Sequence, residues 1–178
     1  MAECSVRTLT APAIALVIAR KGQAHAAATA AAQALGAALP NTPRIVYGND
    51  IALLWCGPER WLLLAPEERA AAAGGIEALL EPVFMDTASV TDQSGSRVLL
   101  DVAGNSAREL LSRTLPLDLH PSVFGPGHTA LCRAHYVSLQ LWQAGTEERF
   151  VLALPRSHAA GFRHWLVGAA AAAVGVPV

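Results

Sequence analysis

Apolar residues in this chain fall into short continuous runs that alternate with stretches at helical spacing. Ala13 to Ala19 is an unbroken apolar run closed by Arg20-Lys21-Gly22, which predicts a short buried strand. Gln23 to Leu39 carries alanine at most positions, with Leu35 and Leu39 as its large anchors, and predicts a helix. At about 25 cal/mol per Å2, methyl-sized side chains contribute little by burial, so this helix must pack close against a sheet or against another chain. Leu39-Pro40-Asn41-Thr42-Pro43 ends it, because proline cannot continue the hydrogen-bond ladder.

A hairpin follows: Arg44 to Tyr47, a turn at Gly48-Asn49-Asp50, then Ile51 to Cys56. Gly57-Pro58-Glu59-Arg60 reads as a type I turn with Pro58 at its second position. Trp61 to Ala65 is apolar on both faces and is expected to be a central strand. Pro66-Glu67-Glu68 opens a helix with carboxylates in the first turn, where the dipole favours them. Gly74-Gly75 divides that helix into two pieces.

After Glu81-Pro82 the pattern begins again. Val83 to Gln93 reads as extended, Ser94-Gly95 as a turn, and Arg97 to Ala103 as a strand with Val98, Leu100 and Val102 on one face. Gly104-Asn105-Ser106 caps a helix to about Arg113, stopped by Leu115-Pro116. Strands at His128 to Ala134, Tyr136 to Gln143 and Phe150 to Leu154 precede a last helix beginning at Pro155-Arg156-Ser157. Phe162, Trp165, Leu166, Ala169 and Ala173 form its buried stripe. Trp61-Leu62-Leu63-Leu64-Ala65-Pro66 answers Phe150-Val151-Leu152-Ala153-Leu154-Pro155, and each is followed by a helix. The expectation is an α+β fold in one domain over 1–178. It holds a duplication, about 10–82 and 83–174, of strand-helix-three strands-helix units that share one antiparallel-rich sheet or barrel.

The 178 residues are 53% hydrophobic and 15% charged, enough for a sizeable core, and disorder is excluded as the main state. Thirteen Lys+Arg against fourteen Asp+Glu leave no basic excess for phosphates, which disfavours nucleic-acid and membrane-surface roles. Leu166 to Val178 is shorter than the roughly 18 to 20 apolar residues of a membrane span. Glu3 and Arg7 interrupt what would be the apolar part of a signal peptide, so the expected location is cytoplasmic. Cys4, Cys56 and Cys132 form no Cys-x-x-Cys pair and are expected to be incidental thiols.

No catalytic, cofactor-binding or metal constellation is expected. His128 and His135 are seven apart across adjoining strands, while His158 and His164, six apart, lie about 120° from each other on a helix. His120, between Leu119 and Pro121, serves either as a ligand or as a turn filler. Ser94 in Asp92-Gln93-Ser94-Gly95-Ser96 lacks the glycine two residues earlier that a nucleophile elbow needs, and turn formation is the default for Asp92 and Ser94. Gly125-Pro126-Gly127 places a proline where a phosphate cradle would need a donating amide. Trp55, Trp61, Trp142 and Trp165 each fall in an apolar element and read as core. Chemically this is a binding or assembly module.

Four motifs in order then carry a family resemblance. Gly57-Pro58-Glu59-Arg60-Trp61-Leu62-Leu63-Leu64, Val90-Thr91-Asp92-Gln93-Ser94-Gly95-Ser96-Arg97, Leu115-Pro116-Leu117-Asp118-Leu119-His120-Pro121 with Phe124 and Gly127, and Pro155-Arg156-Ser157 with Phe162 and Trp165-Leu166 resemble the sarcosine oxidase gamma subunit family. The resemblance runs from about Ala13 to Leu166. It implies a chain of a heterotetrameric enzyme that oxidatively demethylates sarcosine to glycine, forms hydrogen peroxide and passes the one-carbon unit to tetrahydrofolate. It implies alpha, beta and delta subunits as partners. FAD, FMN, NAD and tetrahydrofolate would belong to the other subunits, with no cofactor and no active site of its own in this chain. It also implies a fold like the folate-binding domain of aminomethyltransferases.

Two readings stay open: an accessory subunit of an oxidoreductase complex, and a stand-alone folate-binding or aminomethyltransferase-like protein. The first expects an apolar partner-facing surface, with Gln23 to Leu39 as the candidate patch. The second expects a deep pocket with a carboxylate and an arginine. Asp92 and Asp101 are the weak carboxylate candidates, and Arg97, Arg133 and Arg156 are interface or vestigial ligand contacts under either. A regulator that has lost its complex is a third reading.

Overall fold

The structure, a computed structural model, describes residues 4–10 and 12–173. In chain order the elements are β1 (Ser5–Thr8), β2 (Ala13–Ala19), α1 (Ala24–Leu35), β3 (Ile45–Tyr47), β4 (Ala52–Gly57), β5 (Arg60–Ala65), α2 (Glu67–Ala72) and α3 (Ile76–Phe84). Then come β6 (Ala88–Asp92), β7 (Arg97–Ala103), α4 (Ala107–Thr114), β8 (Thr129–Ala134), β9 (Val137–Gln143), β10 (Arg149–Pro155) and α5 (Arg156–Ala173). Among the described residues, no helix is long and apolar enough to cross a membrane.

The α+β class is as expected, but the strands build two open five-stranded antiparallel sheets instead of one shared sheet or barrel. The chain divides into a central unit, Ala11–Gly95, and a terminal unit, Met1–Thr10 with Ser96–Val178. The break therefore falls at 95/96 and not near 82/83, because β6 pairs with β2 while β7 belongs to the other sheet.

The sheets have one topology. Their orders are β3-β4-β5-β2-β6 and β8-β9-β10-β7-β1. The row Trp61–Val17–Val90 across β5, β2 and β6 is matched by Phe150–Val102–Val6 across β10, β7 and β1. Each five-strand set thus takes its edge strand from the other half of the sequence: β1 precedes β2 but joins β7, and β6 precedes β7 but joins β2. β1 was not expected from the sequence, since Ser-Val-Arg-Thr is short and has one apolar residue in four, and its partner lies far along the chain.

In the central unit, β5 is paired on both sides, as its two apolar faces require. Ala27 and Ala31 on α1 are fully buried beside Leu35, in one core with Ile76, Leu80 and Phe84 of α3. Methyl side chains allow that close packing, but the apolar stripe of α1 is then buried within its own unit. His25, Thr29, Ala32, Gln33 and Ala34 lie on its exposed side, a mixture of polar and methyl-sized groups.

Three local expectations need correction. The first helix stops at Leu35 and not Leu39: Gly36, at φ 80°, takes the left-handed cap, and Leu39 is buried beyond it. Glu81-Pro82 does not end α3, which runs on to Phe84. Burying Phe84 contributes about 2–3 kcal/mol, which offsets a proline cost of about 3 kcal/mol. The turn Gly57-Pro58-Glu59-Arg60 is not type I, because Glu59 has φ 57°. Pro58 at the first central position with positive φ at Glu59, the second, is the type II arrangement.

In the terminal unit, Phe162 and Leu166 of the α5 stripe are buried against Leu100, Val102, Phe150, Leu152 and Leu154, while the side chain of Ala173 lies outside the described residues. Trp165 and Ala169 are half-buried at the margin of the same core. Trp61 and Trp142 are core residues, and Trp61 Nε1 donates to Pro40 O at 2.7 Å.

Candidate functional site

In the central unit, Asp92 and Ser94 form a turn. Asp92 Oδ1 accepts from Ser94 N at 2.7 Å, and Ser94 Oγ accepts from Ile14 N at 2.9 Å. This clips the chain after β6 to the start of β2, and the Asp92 backbone N donates to Glu77 Oε1 at 2.8 Å. The Ser94 hydroxyl holds the backbone of Ile14, accepting from its N and donating to its O at 3.4 Å. In the terminal unit, Asp101 is 9% exposed and its Oδ1 lies 2.7 Å from Arg149 Nε, so this carboxylate is a structural ion-pair partner.

Of the three expected arginines, two come together. Arg97 opens β7 and Arg156 opens α5; Arg156 Nη2 donates to Arg97 O at 3.3 Å, and Arg156 N donates to Ser96 O at 2.8 Å. Arg133 is elsewhere, exposed on β8 at the opposite edge of the sheet from β1.

Arg156 stands at a groove of about 610 Å3 between β1 and α5, lined by Arg7, Thr8, Val98, Arg156, Ala159, Ala160 and Arg163. Its floor is apolar and its charged lining is entirely cationic. Sequence reasoning missed Arg7 and Arg163. Arg156 and Arg163 are seven apart on one helix and so share a face, a signal that was readable. Arg7 had no such signal, because β1 itself was missed. Arginines and one threonine are its polar lining, Arg163 Nη2 donates to Val6 O at 3.4 Å, and Arg7 stands opposite Asp101 in the sheet.

A second depression, about 600 Å3, lies beside α4 and is lined by Arg108, Glu109, Asp118, His120 and Glu148 among others. Here the arginine is fully engaged. Arg108 Nε lies 2.8 Å from Glu148 Oε2, its Nη1 donates to Phe124 O at 2.8 Å and to Leu119 O, and its Nη2 donates to Gln143 Oε1 at 3.0 Å. The guanidinium also sits 5.0 Å from the Phe150 ring centroid. These bonds tie the loop after α4 to β9 and β10.

Three of the six histidines take structural places. His120 Nδ1 lies 2.7 Å from Ser122 Oγ, so this residue fills a turn. His128 Nδ1 accepts from Gly125 N at 3.0 Å. His135 stacks on Trp165, with centroids 4.8 Å apart and planes 9° from parallel. Among the described residues, no three His, Cys, Asp or Glu side chains cluster to hold a metal. Burial pushes the Cys132 thiol up to about 11 and raises Cys4 as well, so both are protonated and poor nucleophiles near neutrality.

The sequence matches the family described as "Sarcosine oxidase, gamma subunit family" over residues 20–172. It is 32% identical over 152 residues to sarcosine oxidase subunit gamma of Corynebacterium sp. (strain P-1), covering 84% of this chain and 72% of that one. It is 35% identical over 160 residues to sarcosine oxidase subunit gamma of Arthrobacter sp., covering 83% of this chain and 70% of that one. The fold matches a chain in the solved heterotetrameric sarcosine oxidase from Corynebacterium sp. U-96 in complex with pyrrole 2-carboxylate. That match has a TM-score of 0.82 and 26% identity, and covers 98% of this chain and 87% of the other.

Proposed function

This chain belongs to the sarcosine oxidase gamma subunit family, and from that premise we propose that it is the accessory, non-catalytic gamma chain of a heterotetrameric sarcosine oxidase. The observation that carries the reading is the likeness of fold, over 98% of this chain, to a chain of a solved heterotetrameric sarcosine oxidase. In this reading the complex demethylates sarcosine to glycine oxidatively, with hydrogen peroxide formed and the one-carbon unit passed to tetrahydrofolate. The alpha, beta and delta subunits are its partners in the cytoplasm, and FAD, FMN, NAD and folate sites lie on those chains. This chain contributes a folded surface: two sheets held by buried cores.

The stand-alone folate reading needs a carboxylate beside an arginine that is free to bind. The groove between β1 and α5 has arginines and no carboxylate in its lining. The depression at Arg108 has carboxylates, but its guanidinium is already bonded to Glu148, Gln143 and two carbonyls. Neither arrangement favours that alternative.

The test is an affinity capture of the tagged full-length chain from its native host, with the eluate assayed for flavin absorbance and sarcosine-dependent peroxide. A flavin-containing, peroxide-forming eluate is expected. Recovery of the chain alone, with calorimetric binding of tetrahydrofolate, overturns the accessory reading.

A further inference from the structure

Among the described residues the two five-stranded sheets have four edges, and three of these are short or have an outer backbone group already engaged. β3 is three residues long. On β6, Asp92 N donates to Glu77 Oε1 at 2.8 Å, and on β1, Val6 O accepts from Arg163 Nη2 at 3.4 Å. β8 is different. It runs for six residues, Thr129–Ala134, without proline or glycine, and pairs with β9 alone. Its register fixes which groups face outward. Gln143 N donates to His128 O, so in the same register Ala130, Cys132 and Ala134 carry the ladder bonds to Leu141, Leu139 and Val137. The N–H and C=O of Leu131 and Arg133 therefore point away from β9, and among the described residues no hydrogen bond reaches them from that side.

The side chains alternate in the same way. Ala130 and Cys132 pack on the core, while Leu131 is 49% exposed and Arg133 is exposed. Arg133 stands opposite Ser138 on β9 and makes no ion pair among the described residues, whereas Arg108, Arg113 and Arg149 in the same unit each face a carboxylate at 2.6–2.8 Å. No aspartate or glutamate occurs from Leu119 to Thr146, a stretch that takes in β8, its turn and β9. A cation on an open edge repels a cationic strand and attracts one that brings a carboxylate.

We infer that the outer edge of β8 takes an extended segment of a partner subunit as a sixth strand, one that sets a carboxylate against Arg133 and an apolar side chain against Leu131. The inference rests on the accessory-subunit reading. Main-chain bonds to Leu131 and Arg133 supply the affinity, and the two side chains fix the register of the added strand. A second copy of this chain is the poorer occupant. β8 holds no carboxylate, so in any pairing of β8 with itself neither arginine is neutralised.

The test reads amide hydrogen exchange residue by residue, in the full chain alone and in the complex co-expressed with its partner subunits and captured through a tag on a partner. In the isolated chain the Leu131 and Arg133 amides are expected to exchange fast, and those of Ala130 and Cys132 slowly. In the complex, exchange at Leu131 and Arg133 is expected to slow by about tenfold or more, with Ala130 and Cys132 little changed. Variants supply a second readout. Leu131→Pro removes an outward N–H, at a position where an edge strand tolerates proline, and is expected to reduce retention by the partners about tenfold. Arg133→Glu is expected to reduce retention about three- to tenfold, and Arg133→Lys to keep it near wild type. Thermal melts of the isolated variants separate docking from folding. Should Leu131→Pro melt lower than wild type, Arg133→Glu, checked for an unchanged melt, takes its place.

Unchanged exchange at Leu131 and Arg133 in a complex that has formed overturns the inference and leaves the accessory reading standing. Retention of Arg133→Glu at the wild-type level does the same. So does a concentration-dependent dimer of the isolated chain in which these two amides are slowed, which makes β8 a contact between copies. Failure of the wild-type chain itself to co-purify overturns the accessory reading and this inference with it.

Discussion

Arg108 Nε lies 2.8 Å from Glu148 Oε2, and the same guanidinium caps two loop carbonyls, so one side chain joins α4, the loop after it and the strand pair β9–β10. Its side chain is 14% exposed against 37% for Glu148, which makes the pair asymmetric. Removing the arginine leaves a carboxylate, two carbonyls and an amide oxygen without their donor. Arg108→Ala is therefore expected to lower unfolding stability by about 2–4 kcal/mol, and Glu148→Gln by about 1 kcal/mol. Urea unfolding of both variants measures the difference, and equal losses would contradict it.

Gly48 is required by a close approach. A Cβ there would lie 1.9 Å from Leu35 O, the carbonyl that ends α1 and accepts from Asn49 N at 2.6 Å. Backbone cannot yield as a side-chain tip can. Gly48→Ala is expected to cost about 1–3 kcal/mol, whereas Gly95→Ala, with open space around it, should be close to neutral. Thermal melts of the two variants give the comparison.

The β8–β9 connection places two bulky residues in left-handed conformation, His135 at φ 45° and Tyr136 at φ 65°. His135 gains a stack on Trp165, but Tyr136 is 86% exposed. Tyr136→Gly relieves the second strain, and is expected to stabilise the isolated chain by about 1 kcal/mol, a rise of about 2–4 °C in Tm. A lowered Tm would mean that the tyrosine ring supports the turn.

Burial raises the Cys132 thiol from about 9 to about 11. Below pH 9 it is protonated in both folded and unfolded chains. Between pH 9 and 11 the unfolded chain ionises it and the folded chain does not, so stability falls across that window and levels off above it. Melting temperature followed from pH 7.5 to 11 is expected to fall less steeply for Cys132→Ala than for wild type. Alkylation of Cys132 in the folded chain at pH 8 is expected to be slow.

Local pattern accounted for most elements. β5 was legible because Trp61 to Ala65 is apolar on both faces, α5 because Phe162, Trp165 and Leu166 keep helical spacing, and the α2–α3 break because Gly74-Gly75 interrupts a helical run. The end of α1 was misjudged because alanine continues past Gly36, and the end of α3 because Pro82 is exposed and tolerated where Phe84 anchors the last turn. Of the arginine groove, Arg156 was singled out and Arg163 was readable from its spacing. Arg7 was not, since it belongs to a four-residue strand with no pattern of its own.

Periodicity, caps and ordered motifs were enough for the α+β class, the repeated succession of elements and the family resemblance, since each of these is written in residues near one another in the chain. Tertiary structure alone placed β1 on β7 and β6 on β2, opened the strands into two sheets, and brought Arg7 to the helix that carries Arg156 and Arg163. The reason is physical. An apolar pattern says which face of a strand is buried, but backbone hydrogen-bond groups are alike on every strand, so the edge a strand pairs with depends on the packing of the whole.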